Sequence, residues 1–166
     1  MSKHLAFDFS VNKENKTITV KREFAASLPL VWDAYTKSEI LDQWWAPKPW
    51  KARTKTMDFR EGGRWHYAMV GPEGEQHWAA ADYSGIQDQK KFIALDTFTD
   101  EAGTLKTGPE SKWEVTFTSE GAVTLVEVHI TFPDLSDLES HIKMGFKEGF
   151  TMALGNLDEL LPTLKK

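Results

Sequence analysis

Cysteine is absent from the 166 residues. That excludes disulfide frameworks, thiol nucleophiles and Cys-ligated zinc. No apolar run approaches the ~18 residues of a membrane-spanning helix. The opening segment, Met1 to Asp8, is polar and acidic where a secretory signal needs an apolar stretch. Positive charge is also short. Lys and Arg number 20 against 25 Asp and Glu, a formal charge of −5, which argues against the basic face of a nucleic-acid binder. Gly-x-Ser-x-Gly and His-Glu-x-x-His are missing. Glu61-Gly-Gly-Arg64 lacks the Lys-Ser/Thr and the following helix of a phosphate loop, so it reads as a tight turn. These absences lead us to expect a soluble cytoplasmic protein with no cofactor, no nucleic-acid partner and no membrane partner.

Aromatic residues are abundant, with seven Trp and ten Phe. Such side chains fill a core or line a pocket, and choosing between the two is the functional question. No linker, repeat or low-complexity segment interrupts the chain, so residues 1–166 read as one domain with its core over about 17–161.

Alternation places Leu5, Phe7, Phe9 and Val11 on one face, then Ile18, Val20, Arg22 and Phe24 on another, across a turn at Asn12 to Asn15. This predicts an N-terminal hairpin or a bent strand. Ser27 followed by Pro29 opens a short helix. Thr36-Lys-Ser-Glu39 reads as a capping box opening a second helix, which Pro47 and Pro49 stop. Strands follow over 52–59, from Trp65 past Met69, and over 76–86, 92–99, 112–118 and 123–132. Asp100 to Pro109 reads as a loop. Pairing Gly71 with Gly74 would put Tyr67 opposite Trp78 on one face, and a one-residue bulge would undo that pairing. Ser136-Asp-Leu-Glu139 reads as a second capping box, opening one long helix to about Leu161. Its apolar stripe runs through Leu138, Ile142, Phe146, Phe150 and Leu157, with Gly145 and Gly149 on or beside it. Glycine inside a helix costs about 1 kcal/mol against alanine. Either a close helix–sheet contact or room for a ligand accounts for it. The expected class is α+β, a curved antiparallel sheet around a long C-terminal helix, with two short helices closing one end.

The segments Phe24-Ala-Ala-Ser-Leu-Pro-Leu-Val-Trp-Asp-Ala-Tyr-Thr36, Leu41-Asp-Gln-Trp-Trp45, Asp58-Phe-Arg-Glu-Gly-Gly-Arg-Trp65 and Met69-Val-Gly-Pro-Glu-Gly74 resemble the activator of heat-shock protein 90 ATPase homologue-like family. That family belongs to the START-related, polyketide-cyclase-like superfamily. Gly149 to Leu160 is similar to the family's helix end, with Phe150 where a Trp is common. The resemblance implies a helix-grip fold with a cavity between sheet and helix. It also implies three activities among relatives: binding of hydrophobic small molecules, cyclisation or dehydration in a few, and stimulation of a chaperone ATPase in a eukaryotic one.

Trp65, Tyr67, Met69 and Trp78 are candidates for a cavity wall, with plain core as the alternative. Trp45 reads either as a lid or as part of the core mouth, and Trp44 as core. Phe98, Trp113, Phe146 and Phe150 complete the candidate ligand-binding set. Asp82 and Asp96 fall in step with apolar neighbours, where a carboxylate would be costly and its pKa raised. The expectation for both is that register or a bulge turns them to solvent. Glu127 and His129 share the face opposite Val126, Val128 and Ile130, and no third ligand at useful spacing accompanies them. His66 and His77 flank a hairpin and are placed to meet across it. The preferred reading is non-enzymatic binding of a small hydrophobic or aromatic ligand. The alternatives are a partner of a heat-shock protein 90-type chaperone, or a cyclase- or dehydratase-like enzyme using Asp82, Asp96 or Tyr67. A monomer or a homodimer paired through the N-terminal hairpin fits the sequence.

Overall fold

The computed structural model describes residues 7–104 and 110–164. Leu5 of the first alternating face and positions 105–109 of the loop read above lie outside the described residues. The elements run β1 (Phe7–Asn12), β2 (Thr17–Phe24), α1 (Leu28–Thr36), α2 (Ser38–Trp44), β3 (Lys51–Met57), β4 (Arg64–Val70), β5 (Gln76–Gln87), β6 (Lys91–Phe98), β7 (Ser111–Glu120), β8 (Val123–Thr131), α3 (Leu135–Lys143) and α4 (Phe146–Leu164). The eight strands form one antiparallel sheet in the order β1-β2-β8-β7-β6-β5-β4-β3.

Period-two alternation decides which face is buried. Ile18, Val20 and Phe24 on β2 and Val126, Val128 and Ile130 on β8 are buried together. Glu127 and His129 lie on the outer face, 3.6 Å apart, as their parity requires. The inner face packs on α4 through Phe150, Ala153, Leu154, Leu157 and Leu161. The stripe of α4 is therefore spent on the sheet, and each such aliphatic side chain contributes roughly 1.5–3 kcal/mol by leaving water.

One end of the sheet is filled by aromatic packing. Trp32 of α1 meets Phe59, Phe92 and Phe117 edge-on, with ring centres 5.8, 6.0 and 5.0 Å away. Trp44 is buried and donates its indole N–H to the Ala34 carbonyl at 2.9 Å, locking α2 to α1. Trp44 is core, as its position implied.

Four local expectations are corrected. Neither capping box forms. Lys37 precedes α2 and Asp134 precedes α3, neither with a side-chain cap, while the Thr36 hydroxyl donates back to the Trp32 carbonyl at 2.8 Å. The predicted single C-terminal helix is two, because Gly145 sits between α3 and α4 at φ +92°, a left-handed conformation that suits a residue without a Cβ. The β4–β5 hairpin closes with Gly71 bonded to Glu75, so the register moves by one and Ala68, not Tyr67, opposes Trp78. A one-residue slip exchanges faces, and Trp78 stands on the outer one. His66 and His77 consequently do not meet. His66 pairs with Ala80 outside, and His77 opposes Met69 inside.

Candidate functional site

Where α1 and α2 give way to the other end of the sheet, the inner face turns from large to small. Ala79, Ala81 and Ala94 point inward on β5 and β6. Large rings surround these methyl groups, and the shortfall in volume leaves space. Ala79 lines a cavity of about 210 Å³ bounded by the sheet, the Trp45–Pro47 segment and the α3–α4 junction, while Ala81 and Ala94 line a smaller space beside it. Its walls include Trp45, Tyr67, Met69, Phe98, Trp113, Phe146 and Phe150. Gly145 and Gly149 also line it, and a Cβ on Gly149 would meet only Pro47 Cγ at 3.7 Å. Of the two explanations for glycine here, room beside the helix fits Gly149. This smaller inner space of about 30 Å³, large enough for water, continues between Trp65, Tyr83 and Tyr35. Trp45, Tyr67, Asp96 and Trp113 line both spaces and so stand at their junction.

The rings hold one another in place. Tyr67 stacks on Trp65 with centres 3.8 Å apart, and Trp45 donates its indole N–H to the Tyr67 hydroxyl at 3.1 Å. Trp113 donates to Ser111 Oγ at 3.0 Å and meets Phe150 edge-on at 5.6 Å. Phe146 and Phe150, one turn apart at the start of α4, stack at 5.4 Å. Met144, Phe98 and His77 are exposed lining residues, the first two at 68% and 38%, and mark the opening.

Eight of the nine ligand-binding candidates therefore come together on one side of the sheet. Seven line the larger space and Trp65 the smaller. Trp78 is not among them. It lies on the outer face beside His66, with Arg53 and Lys55 over its ring at 5.9 and 5.6 Å.

The two aspartates part company. Asp82 faces outward and pairs with Arg64, the closer contact being 2.6 Å, with a second at 3.1 Å. Asp96 faces inward, against the expectation of solvent exposure. It opposes Ala81 on β5 and Ser111 on β7, both inward positions, with no bulge beside it to turn it out. The residue is half-buried, but its Oδ1 is fully enclosed and has no hydrogen-bond partner. Burial pushes its carboxyl up to about 7, the negative charge of Asp82 adds to the rise, and the Thr97 backbone N–H opposes it. Burial likewise holds the Tyr67 hydroxyl well above its ordinary range, and nearby Asp96 raises it further. His141 lines the opening, and burial lowers its pKa.

Ala79, Ser111, His77 and His141 in the larger space and Ala81 in the smaller do not stand out in the sequence as lining residues. The run Trp78-Ala-Ala-Ala-Asp82 carried the signal, since alanines in an aromatic-rich strand leave volume unfilled. Among the described residues no three His, Asp or Glu side chains gather as a metal site, and no helix is long and apolar enough to cross a membrane.

Comparison with solved structures gives close matches over nearly the whole chain. A protein from Mycobacterium smegmatis, Ms6760, is 28% identical at a TM-score of 0.87, covering 98% of this chain and 100% of its own. A Staphylococcus epidermidis protein is 26% identical at 0.82, covering 95% and 96%. An Arthrobacter aurescens protein shares the fold at 24% identity and 0.88, covering 94% and 91%. Comparison with curated proteins gives no significant match. Residues 25–162 match the model of the family described as Activator of Hsp90 ATPase homolog 1-like protein. With that match spanning most of its length and the sheet wrapped on α4, the chain belongs to the Activator of Hsp90 ATPase homolog 1-like protein family.

Proposed function

We propose that this protein binds a small hydrophobic or aromatic molecule in the cavity between the sheet and α4. The observation that carries the reading is the cavity itself, about 210 Å³ walled by aromatic rings. An engineered apolar cavity of about 150 Å³ stays dry and takes up benzene, so this one has room for a bicyclic ring system. The rings are fixed by mutual stacking and by the Trp45–Tyr67 hydrogen bond, so little ordering cost remains on binding. The chaperone alternative rests on family membership alone. The enzymatic alternative retains Tyr67 and Asp96 in the cavity and loses Asp82 to its outward pairing with Arg64.

Native mass spectrometry of the freshly purified protein, then calorimetric titration with naphthalene-sized compounds, tests the reading. A stoichiometric small adduct, or saturable one-to-one binding, is expected. An adduct-free mass combined with no saturable binding across an aromatic and aliphatic panel would refute it.

A further inference from the structure

An apolar cavity needs no carboxylate, yet this one has Asp96 at the junction of its two spaces. Oδ1 is enclosed and unpartnered. A buried ionised group without a partner is costly, and proteins ordinarily supply a counter-ion or hydrogen bonds. Among the described residues no lysine or arginine lines either space. Arg64, across the sheet, is held by Asp82 and by the Gly103 carbonyl at 2.6 Å. Trp45, Tyr67 and Trp113 wall the same junction. Aromatic faces are negative and attract cations, most strongly where water is excluded. A carboxylate set among aromatic rings is an arrangement that favours positive charge, and among the described residues no lysine or arginine stands there, while His77 and His141 line only the larger space.

We infer that the natural ligand is a hydrophobic amine, its ammonium group seated among Trp45, Tyr67 and Trp113 with Asp96 as counter-ion and its apolar body in the larger space. This rests on the cavity-binding reading and narrows it to one ligand class. A ligand hydroxyl would satisfy one hydrogen bond of Asp96 but would leave its charge uncompensated. An ammonium does both, through a charge-assisted bond.

The test uses three probes of one shape, 2-naphthylmethylamine, 2-naphthylmethanol and 2-ethylnaphthalene, titrated into the whole protein at pH 8. The amine is expected to bind about ten-fold or more tighter than the alcohol, the equivalent of one charge-assisted contact. In Asp96→Asn the ratio of the two affinities is expected to fall about ten-fold, the part owed to the carboxylate. Equal affinities in the unaltered protein, or a preference undiminished in Asp96→Asn, would overturn the amine assignment while leaving cavity binding intact. Binding of none of the three would overturn cavity binding and the assignment with it. The comparison of probes on the unaltered protein decides the question even if the variant does not fold.

Discussion

Replacing Asp96 with asparagine should stabilise the ligand-free protein, and by an amount that grows with pH. In the folded chain burial raises the carboxyl from 3.8 to about 7, whereas the unfolded chain keeps the ordinary value. Between these two values the folded state holds a proton that the unfolded state has released. Stability from this group is therefore fully present below about pH 4 and is lost as pH rises through about 7. The full difference corresponds to about 4 kcal/mol. Asp96 keeps partial exposure, and solvent screening reduces the figure to about 2 kcal/mol. Asparagine has nearly the same shape, accepts the Thr97 N–H and carries no charge. Urea unfolding of both proteins at pH 4, 5.5, 7 and 8.5 separates this group from all others, since only Asp96 differs. Stabilities close to each other at pH 4 are expected. At pH 8.5 the variant should gain about 1 M in midpoint, taking a slope of roughly 2 kcal/mol per M. A difference between the two proteins that does not change with pH would refute the reasoning.

Gly149→Ala should stabilise by about 0.4–1 kcal/mol in chemical denaturation, because the added Cβ meets only Pro47 at an ordinary 3.7 Å and the unfolded chain loses freedom. Trp44→Ala should cost about 3–5 kcal/mol in the same assay, since a fully buried ring and its bond to Ala34 are both lost. Trp78→Ala should leave the affinity for naphthalene-type ligands unchanged by calorimetry, whereas Trp45→Ala should lower it by ten-fold or more, about 1.4 kcal/mol, because only Trp45 lines the cavity. Equal effects of those two substitutions would contradict the β4–β5 register.

Much of the fold was legible because its signals are local and repeated. The alternation of Ile18, Val20 and Phe24, and of Val126, Val128 and Ile130, gave both the strands and their buried face. Details that hang on one residue were harder to see. Tyr67 and Trp78 changed relationship because the hairpin closes at Gly71 and Glu75. Sequence shows that a turn exists there but not which residues it bonds. The helix pattern ran unbroken through Gly145, since periodicity is blind to one residue at positive φ. Asp96 exposes a deeper limit. Parity alone pointed it inward, and the desolvation cost argued the other way. The cost is met by a proton, and on our reading by a ligand, neither of which a sequence displays. The cavity was hidden for a similar reason. Aromatic residues announced the walls, but the small side chains beside them, Ala79 in the larger space and Ala81 and Ala94 in the smaller, point inward only because of the register.

The most direct test of cavity binding follows the indole N–H signals of the seven tryptophans by two-dimensional nitrogen–proton NMR during titration with a naphthalene-sized ligand. Trp45 and Trp113 line the cavity, whereas Trp32 is packed in the filled end and Trp78 stands on the outer face. Saturable, one-to-one shifts at Trp45 and Trp113, with Trp32 and Trp78 unmoved, are the predicted result. Shifts confined to Trp78, or no saturable change at Trp45 and Trp113, would contradict the account.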